Sequence, residues 1–98
     1  RQARMFTTTT TVDFGQSLSG DQTVLELQAA DRPGLLSTIG QVFIEQGIDI
    51  EAAKIVTIGE KAEDVFYVCR ESGGALDRDQ QQKLGTALLD RLDSGTHT

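Results

Sequence analysis

Apolar and polar positions alternate at period two near the start of this chain. Phe6, Thr8, Thr10, Val12 and Phe14 share one face, and Thr7, Thr9, Thr11 and Asp13 share the other. This is the pattern of a half-buried strand, and the threonine run favours it because β-branched residues suit extended backbone. A polar, glycine-containing loop, Gly15 to Gln22, then returns the chain as a wide hairpin. Leu25, Leu27 and Ala29 mark the inner face of a second strand, Thr23 to Ala29. Beyond a short turn the period changes. Leu35, Leu36, Ile39, Val42 and Phe43 follow the i, i+1, i+4, i+7, i+8 spacing of a buried helical stripe. Gly40 lies in that helix, where a missing side chain lets a helix approach a sheet closely. Gly47 is placed to end the helix in a left-handed conformation.

Ile48 and Ile50 open a third strand, but the inner role then passes to Ala53 and Ile55. One extra residue restores the alternation, so a β-bulge is expected near Ala52. Gly59-Glu60-Lys61 is a turn. Val65 to Cys69 is apolar on both faces, as in a central strand with its second face also covered. Glu71 to Asp77 is a loop. Asp77 and Gln80 stand at capping-box spacing ahead of a second helix with Leu84, Ala87, Leu88 and Leu92 on one side. Ser94 to Thr98 is expected to be a frayed tail. The order strand, strand, helix, strand, strand, helix predicts an α+β sandwich: a four-stranded antiparallel sheet with two helices on one face.

The turn Asp31-Arg32-Pro33-Gly34-Leu35-Leu36 joins a strand end to a helix start. Pro33 suits a first helical turn, with Asp31 as its cap, and Gly34 lets a small anion reach the backbone. The free amides and the helix dipole favour negative charge there. With the Asp31 carboxylate alongside, the turn offers what a zwitterionic amino acid needs. The plainer possibility is a helix start that binds nothing.

Composition narrows the choices. The chain has 98 residues, enough for one domain and one modest core. Its net charge of −6 and its few aromatics disfavour nucleic-acid binding. No apolar run suffices to span a bilayer. A single cysteine forms no internal disulfide and no cysteine cluster for metal. Cys69, mid-strand among apolar residues, is expected to be a buried structural thiol. Glu63 and Asp64 are adjacent and point to opposite faces, so they are no acid/base pair. His97 lies in the tail. No catalytic constellation is present, and the fragment is expected to be no enzyme and to need no cofactor. The chain starts at Arg1 without a methionine, which suggests a piece cut from a longer protein.

The segments Thr23–Leu27, Asp31–Leu36, Gly47–Ile50, Ala53–Ile55 and Asp64–Val68 together resemble an ACT domain, a small regulatory module that senses amino acids. The resemblance runs from Thr23 to Leu92. Ala53 to Lys61 followed by Glu63-Asp64-Val65-Phe66 is more narrowly similar to the last ACT domain of bacterial protein-PII uridylyltransferases, bifunctional uridylyl-transferring and uridylyl-removing enzymes. The family's ferredoxin-like order is βαββαβ, with the last strand beside the first. Here nothing strand-like follows Leu92, and the extra strand comes before Thr23. A permutation is therefore expected, with the N-terminal strand filling the last strand's place. The spatial order would be N-terminal strand, Thr23 strand, Asp64 strand, Ile48 strand. This gives residues 1–22 as strand and hairpin loop, 23–93 as the ACT core and 94–98 as tail.

The resemblance implies glutamine or another small amino acid as ligand, bound where the Asp31–Leu36 turn faces the start of the Ile48 strand. The amides of Gly34, Leu35 and Leu36 would take its carboxylate, Asp31 or Asp49 its ammonium, and Pro33 would hold the turn; Ile50 adjoins Asp49. Gly34→Val is expected to block the anion with little loss of fold. Many family members carry Asn where this chain has Asp49, which bears on ligand preference. The implied partners are a second ACT domain, a second copy or the parent's preceding one, meeting the sheet face of Val24, Val65, Tyr67 and Cys69. For the parent they include the PII protein, with Mg as cofactor, in the cytoplasm. A non-catalytic ACT-repeat protein and a dimerisation module with an empty site remain open. Other ferredoxin-like proteins fit less well. An RNA-recognition domain would need more aromatic and basic residues, a metal carrier paired cysteines in its first loop, and an acylphosphatase an Asn, of which the chain has none.

Overall fold

The computed structural model describes residues 9–94, with Ser94 described only in its backbone. Six elements follow in order: β1 (Thr11–Gln16), β2 (Thr23–Ala30), α1 (Leu35–Glu45), β3 (Ile48–Ile58), β4 (Lys61–Arg70) and α2 (Arg78–Ser94). The strands form one antiparallel sheet in the order β1-β2-β4-β3, as the sequence predicts. β1 occupies the place beside β2 assigned to the permuted N-terminal strand. It begins at Thr11 and runs to Gln16, into the segment read as loop; Phe6 to Thr8 and the tail beyond Ser94 lie outside the described residues.

Register fixes the faces, because paired residues on antiparallel strands share a side. Val12 opposes Leu27 and Phe14 opposes Leu25, so the alternation in β1 does turn its apolar residues inward. β3 holds the expected bulge: Ile50 pairs with Val68 and Ala52 with Tyr67, leaving Glu51 as the extra residue. Ala53 and Ile55 thereby return to the inner side, opposite Phe66 and Asp64. They remain exposed even so.

Both helices pack on the inner side and close one core. Leu35, Ile39, Val42 and Phe43 of α1 and Leu84, Leu88 and Leu92 of α2 meet Leu25, Leu27, Phe66 and Val68 of the sheet. Phe43 and Phe66 stack edge to face with centroids 5.3 Å apart. α2 opens with the reciprocal cap: the Gln80 amide donates to Asp77 Oδ1 at 2.8 Å, and the Asp77 amide donates to Gln80 Oε1 at 3.1 Å. Gly47 takes φ 71° at the end of α1, as expected. Gly40 does not serve close packing, since a Cβ there would meet nothing within 4 Å. The close approach falls at Gly85 of α2, where a Cβ would lie 3.4 Å from the Phe14 ring.

Candidate functional site

The segment between β2 and α1 is a tight turn stapled at both ends. The Asp31 amide donates to the Glu60 carbonyl at 2.8 Å, which ties the end of β2 to the β3–β4 hairpin. The Leu35 amide donates to the Arg32 carbonyl at 3.2 Å across Pro33 and Gly34. Gly34, at φ 81° and ψ 3°, has the third-residue geometry of a type II turn, and proline favours the position before it. This corrects the expected helix start. Pro33 and Gly34 precede α1, the N-cap is Gly34, and no side chain caps it, so Asp31 is not the cap. A positive φ at Gly34 also means that Gly34→Val strains the backbone, by about 1–2 kcal/mol or more, contrary to the expected tolerance.

Of the amides assigned to an anion, that of Leu35 is spent within the turn. Those of Gly34 and Leu36, together with that of Ser37, which had not been assigned, have no backbone acceptor among the described residues. They lie at the positive end of α1, beside a cleft of about 240 Å³ between that helix start and the inner faces of β3 and β4. Asp31, Arg32, Gly34, Leu35 and Leu36 line it, with Ser37, Ile55, Thr57, Ala62 and Asp64. Pro33 shapes the turn from an exposed position without lining the cleft. The Arg32 guanidinium donates to the Leu92 carbonyl at 2.9 Å, fastening the turn to the last turn of α2.

Asp49 and Ile50 do not join this cleft within one chain. They follow the C-terminal end of α1, whereas the turn precedes its N-terminal end, and 11 helical residues span about 16 Å. Asp49 also pairs with Cys69, on the outer face of the sheet. The expected meeting of the turn with the start of β3 is therefore not made in a single copy.

In their place the structure brings in Asp64, which the reading of the sequence set aside. Asp64 is 1% exposed, and neither carboxylate oxygen has a hydrogen-bond partner among the described residues. Burial pushes its carboxyl above the ordinary range; the nearby Val56 amide offsets part of that without reaching hydrogen-bonding geometry, and the Asp31 charge adds to the rise. The signal was present: Asp64 is in phase with Ala62, Phe66 and Val68, which puts it on the inner side. Glu63 points to the opposite, outer face from Asp64, toward a Lys61 ion pair at 3.4 Å and the Gln28 amide at 3.2 Å.

The remaining candidates are structural. Cys69 is buried and its thiol donates to Glu51 at 3.6 Å; burial first, then the Glu51 charge, pushes its pKa up, so it is no reactive thiolate. Val24, Val65 and Tyr67 share its outer face as expected, but half-buried, and Asp13, Glu26 and Glu63 interrupt them. His97 lies outside the described residues. Among the described residues no group of three or more His, Cys, Asp or Glu could hold a metal ion, and no helix is long and apolar enough to cross a membrane.

Residues 23–86 match the ACT domain family. The chain is 42% identical over 92 residues to the bifunctional uridylyltransferase/uridylyl-removing enzyme of Psychrobacter cryohalolentis. It is 45% identical over 89 residues to that of Aliivibrio fischeri and 46% identical over 92 to that of Photobacterium profundum. These alignments cover 94%, 91% and 94% of the chain and 10% of each relative. The chain thus spans about a tenth of the length of these curated relatives.

Proposed function

The chain belongs to the ACT domain family, and from that premise we propose that it is the regulatory, glutamine-sensing domain of a bifunctional uridylyltransferase/uridylyl-removing enzyme that controls nitrogen assimilation. The fragment itself carries no catalysis. In the parent, separate catalytic domains with Mg act on the PII protein in the cytoplasm. The relatives' names support the parent activity. The observation that carries the sensing role is the type II turn, which sets unpaired amides of α1 beside a cleft that also holds a carboxylate wall. An amino acid presents both complementary charges: its carboxylate to the Gly34, Leu36 and Ser37 amides, its ammonium to the acidic side, where charge-assisted bonds are the stronger kind.

The cleft is open and one-sided, and Asp49 and Ile50 reach it only from a second ACT domain. β3 is the long edge of the sheet and leaves Ile50, Ile55 and Ile58 at 45%, 45% and 56% exposure. A second domain, another copy or the parent's preceding one, pairs more readily along this edge than over the mixed outer face. The same edge favours a second reading, an association module whose cleft stays empty.

A titration of the isotope-labelled chain with glutamine separates the two. The expected result is amide shifts centred on Gly34, Leu36 and Ser37, with a dissociation constant on the order of 1 mM, about −4 kcal/mol. Asp31→Asn should weaken it several-fold. Shifts confined to β3, with none at the α1 start, replace sensing by association.

A further inference from the structure

Asp64 is an anomaly of this core. A buried carboxylate ordinarily has hydrogen-bond partners, because an unpaired buried charge is costly. Here both oxygens lack partners among the described residues and Asp64 is 1% exposed, yet it lines a cleft that opens to solvent beside Asp31. We propose that Asp64 is the buried anchor for a primary ammonium group entering this cleft, with Asp31 as the outer carboxylate. This rests on the sensing role proposed above and names the residue that selects an amine-bearing ligand over a simple anion.

Charge and geometry both favour an ammonium. The charged side chains around Asp64 are few. The turn contributes Asp31 and Arg32, and the Arg32 guanidinium is committed to the Leu92 carbonyl. The first turn of α1 has no acidic residue and consists of Leu35, Leu36, Ser37 and Thr38. The inner neighbours on β2, β3 and β4 are Leu27, Ile55 and the strand partners around them, all uncharged. Lys54 and Lys61 sit in the outward phase, opposite Val65 and Ile58. Two carboxylates with one committed guanidinium leave a negative balance that one cation offsets.

The two-carboxylate set is too small for a divalent ion, which takes six or more oxygens or keeps several waters. An ammonium brings three donors and needs only a few acceptors. Room can be made at low cost: Leu36 and Ile55 line the same cleft and are 49% and 45% exposed, so moving them disturbs no packed core. A lone anion is disfavoured by Asp31 and Asp64 together, whereas a zwitterion satisfies the α1 amides and the carboxylates at once. Burial holds the Asp64 carboxyl above its ordinary range in the empty cleft, and an ammonium beside it would draw that value down.

The test follows the side-chain carboxyl carbon of Asp64 by NMR across a pH series. The chain is titrated with three probes: L-glutamine, its deamino analogue glutaramate, and methylammonium. The expected result is that glutamine and methylammonium each lower the Asp64 titration midpoint by roughly one unit or more, a tenfold linkage, while glutaramate leaves it in place. Asp64→Asn should weaken glutamine at least tenfold and leave glutaramate unchanged or tighter. If glutamine shifts the Gly34 and Leu36 amides but Asp64 titrates unchanged, the anchor is wrong and the sensing role stands. If glutamine fails to bind while methylammonium moves Asp64, the anchor stands and glutamine sensing fails. If neither amine moves Asp64, or Asp64→Asn weakens glutaramate as much as glutamine, the proposal is overturned.

Discussion

Asp64 and Gly34 show at the scale of single residues how local chemistry and surroundings divide the work. Gly34 is required by its own backbone angle. Asp64 is unusual only because of what covers it. Its folded carboxyl holds its proton more tightly than the ordinary value of 3.8 found in the unfolded chain. Between those two values the folded state binds more protons than the unfolded one, so stability falls as pH rises through that window. Asp64→Asn should remove this part of the slope and leave the protein more stable than the original at neutral pH, since a buried neutral amide costs less than a buried unpaired charge. Denaturant midpoints of both proteins, from acid to neutral pH, decide it; parallel profiles would show that Asp64 does not titrate as described.

Helices and strands here owe their identity to pattern and their placement to a few contacts. β1 is short, and it is held inward by Val12 and Phe14 packing on the core and against α2. Gly85 makes room for Phe14. Gly85→Ala should be neutral or stabilising by up to about 1 kcal/mol, because helix propensity rises and a Cβ at 3.4 Å from the ring is a tolerable contact. Gly85→Leu should displace Phe14 and cost about 1–3 kcal/mol, as overpacking does. Hydrogen exchange should then show β1 amides losing protection before those of β2 and β4. Equal protection across the sheet in Gly85→Leu would show that Phe14 does not anchor β1. Much of this was legible beforehand. The bulge at Glu51 follows from the slipped alternation in β3, and the Asp77–Gln80 cap from its spacing. The exchange of roles between Gly40 and Gly85 was not, since both look alike within a helix and only the crossing of α2 over β1 distinguishes them.

For the whole molecule the question is association. The chain carries a net charge of −6 and an exposed β3 edge with three isoleucines. Like charges oppose self-pairing, and salt screens them over about 10 Å at 0.1 M. Sedimentation should therefore show a dimer fraction that grows with protein concentration and with moderate salt. Ile58→Glu, which adds a like charge at an exposed edge position outside the cleft, should lower it. A dimer fraction indifferent to Ile58→Glu would move the contact to the outer face of Val24, Val65 and Tyr67.

What the sequence determined by itself was what near neighbours set: which stretches are strand or helix, which face of each is apolar, and where glycine must turn the chain. These depend on side-chain period and on allowed backbone angles, which act over a few residues. Only the tertiary structure decided which inward residues are covered and which distant segments meet. It put Asp64 beside Asp31, more than thirty positions away in the chain, and carried Asp49 to the far end of α1. Burial and proximity are sums over the whole path of the chain. A carboxylate in an inward phase becomes a buried charge only where another element happens to cross above it.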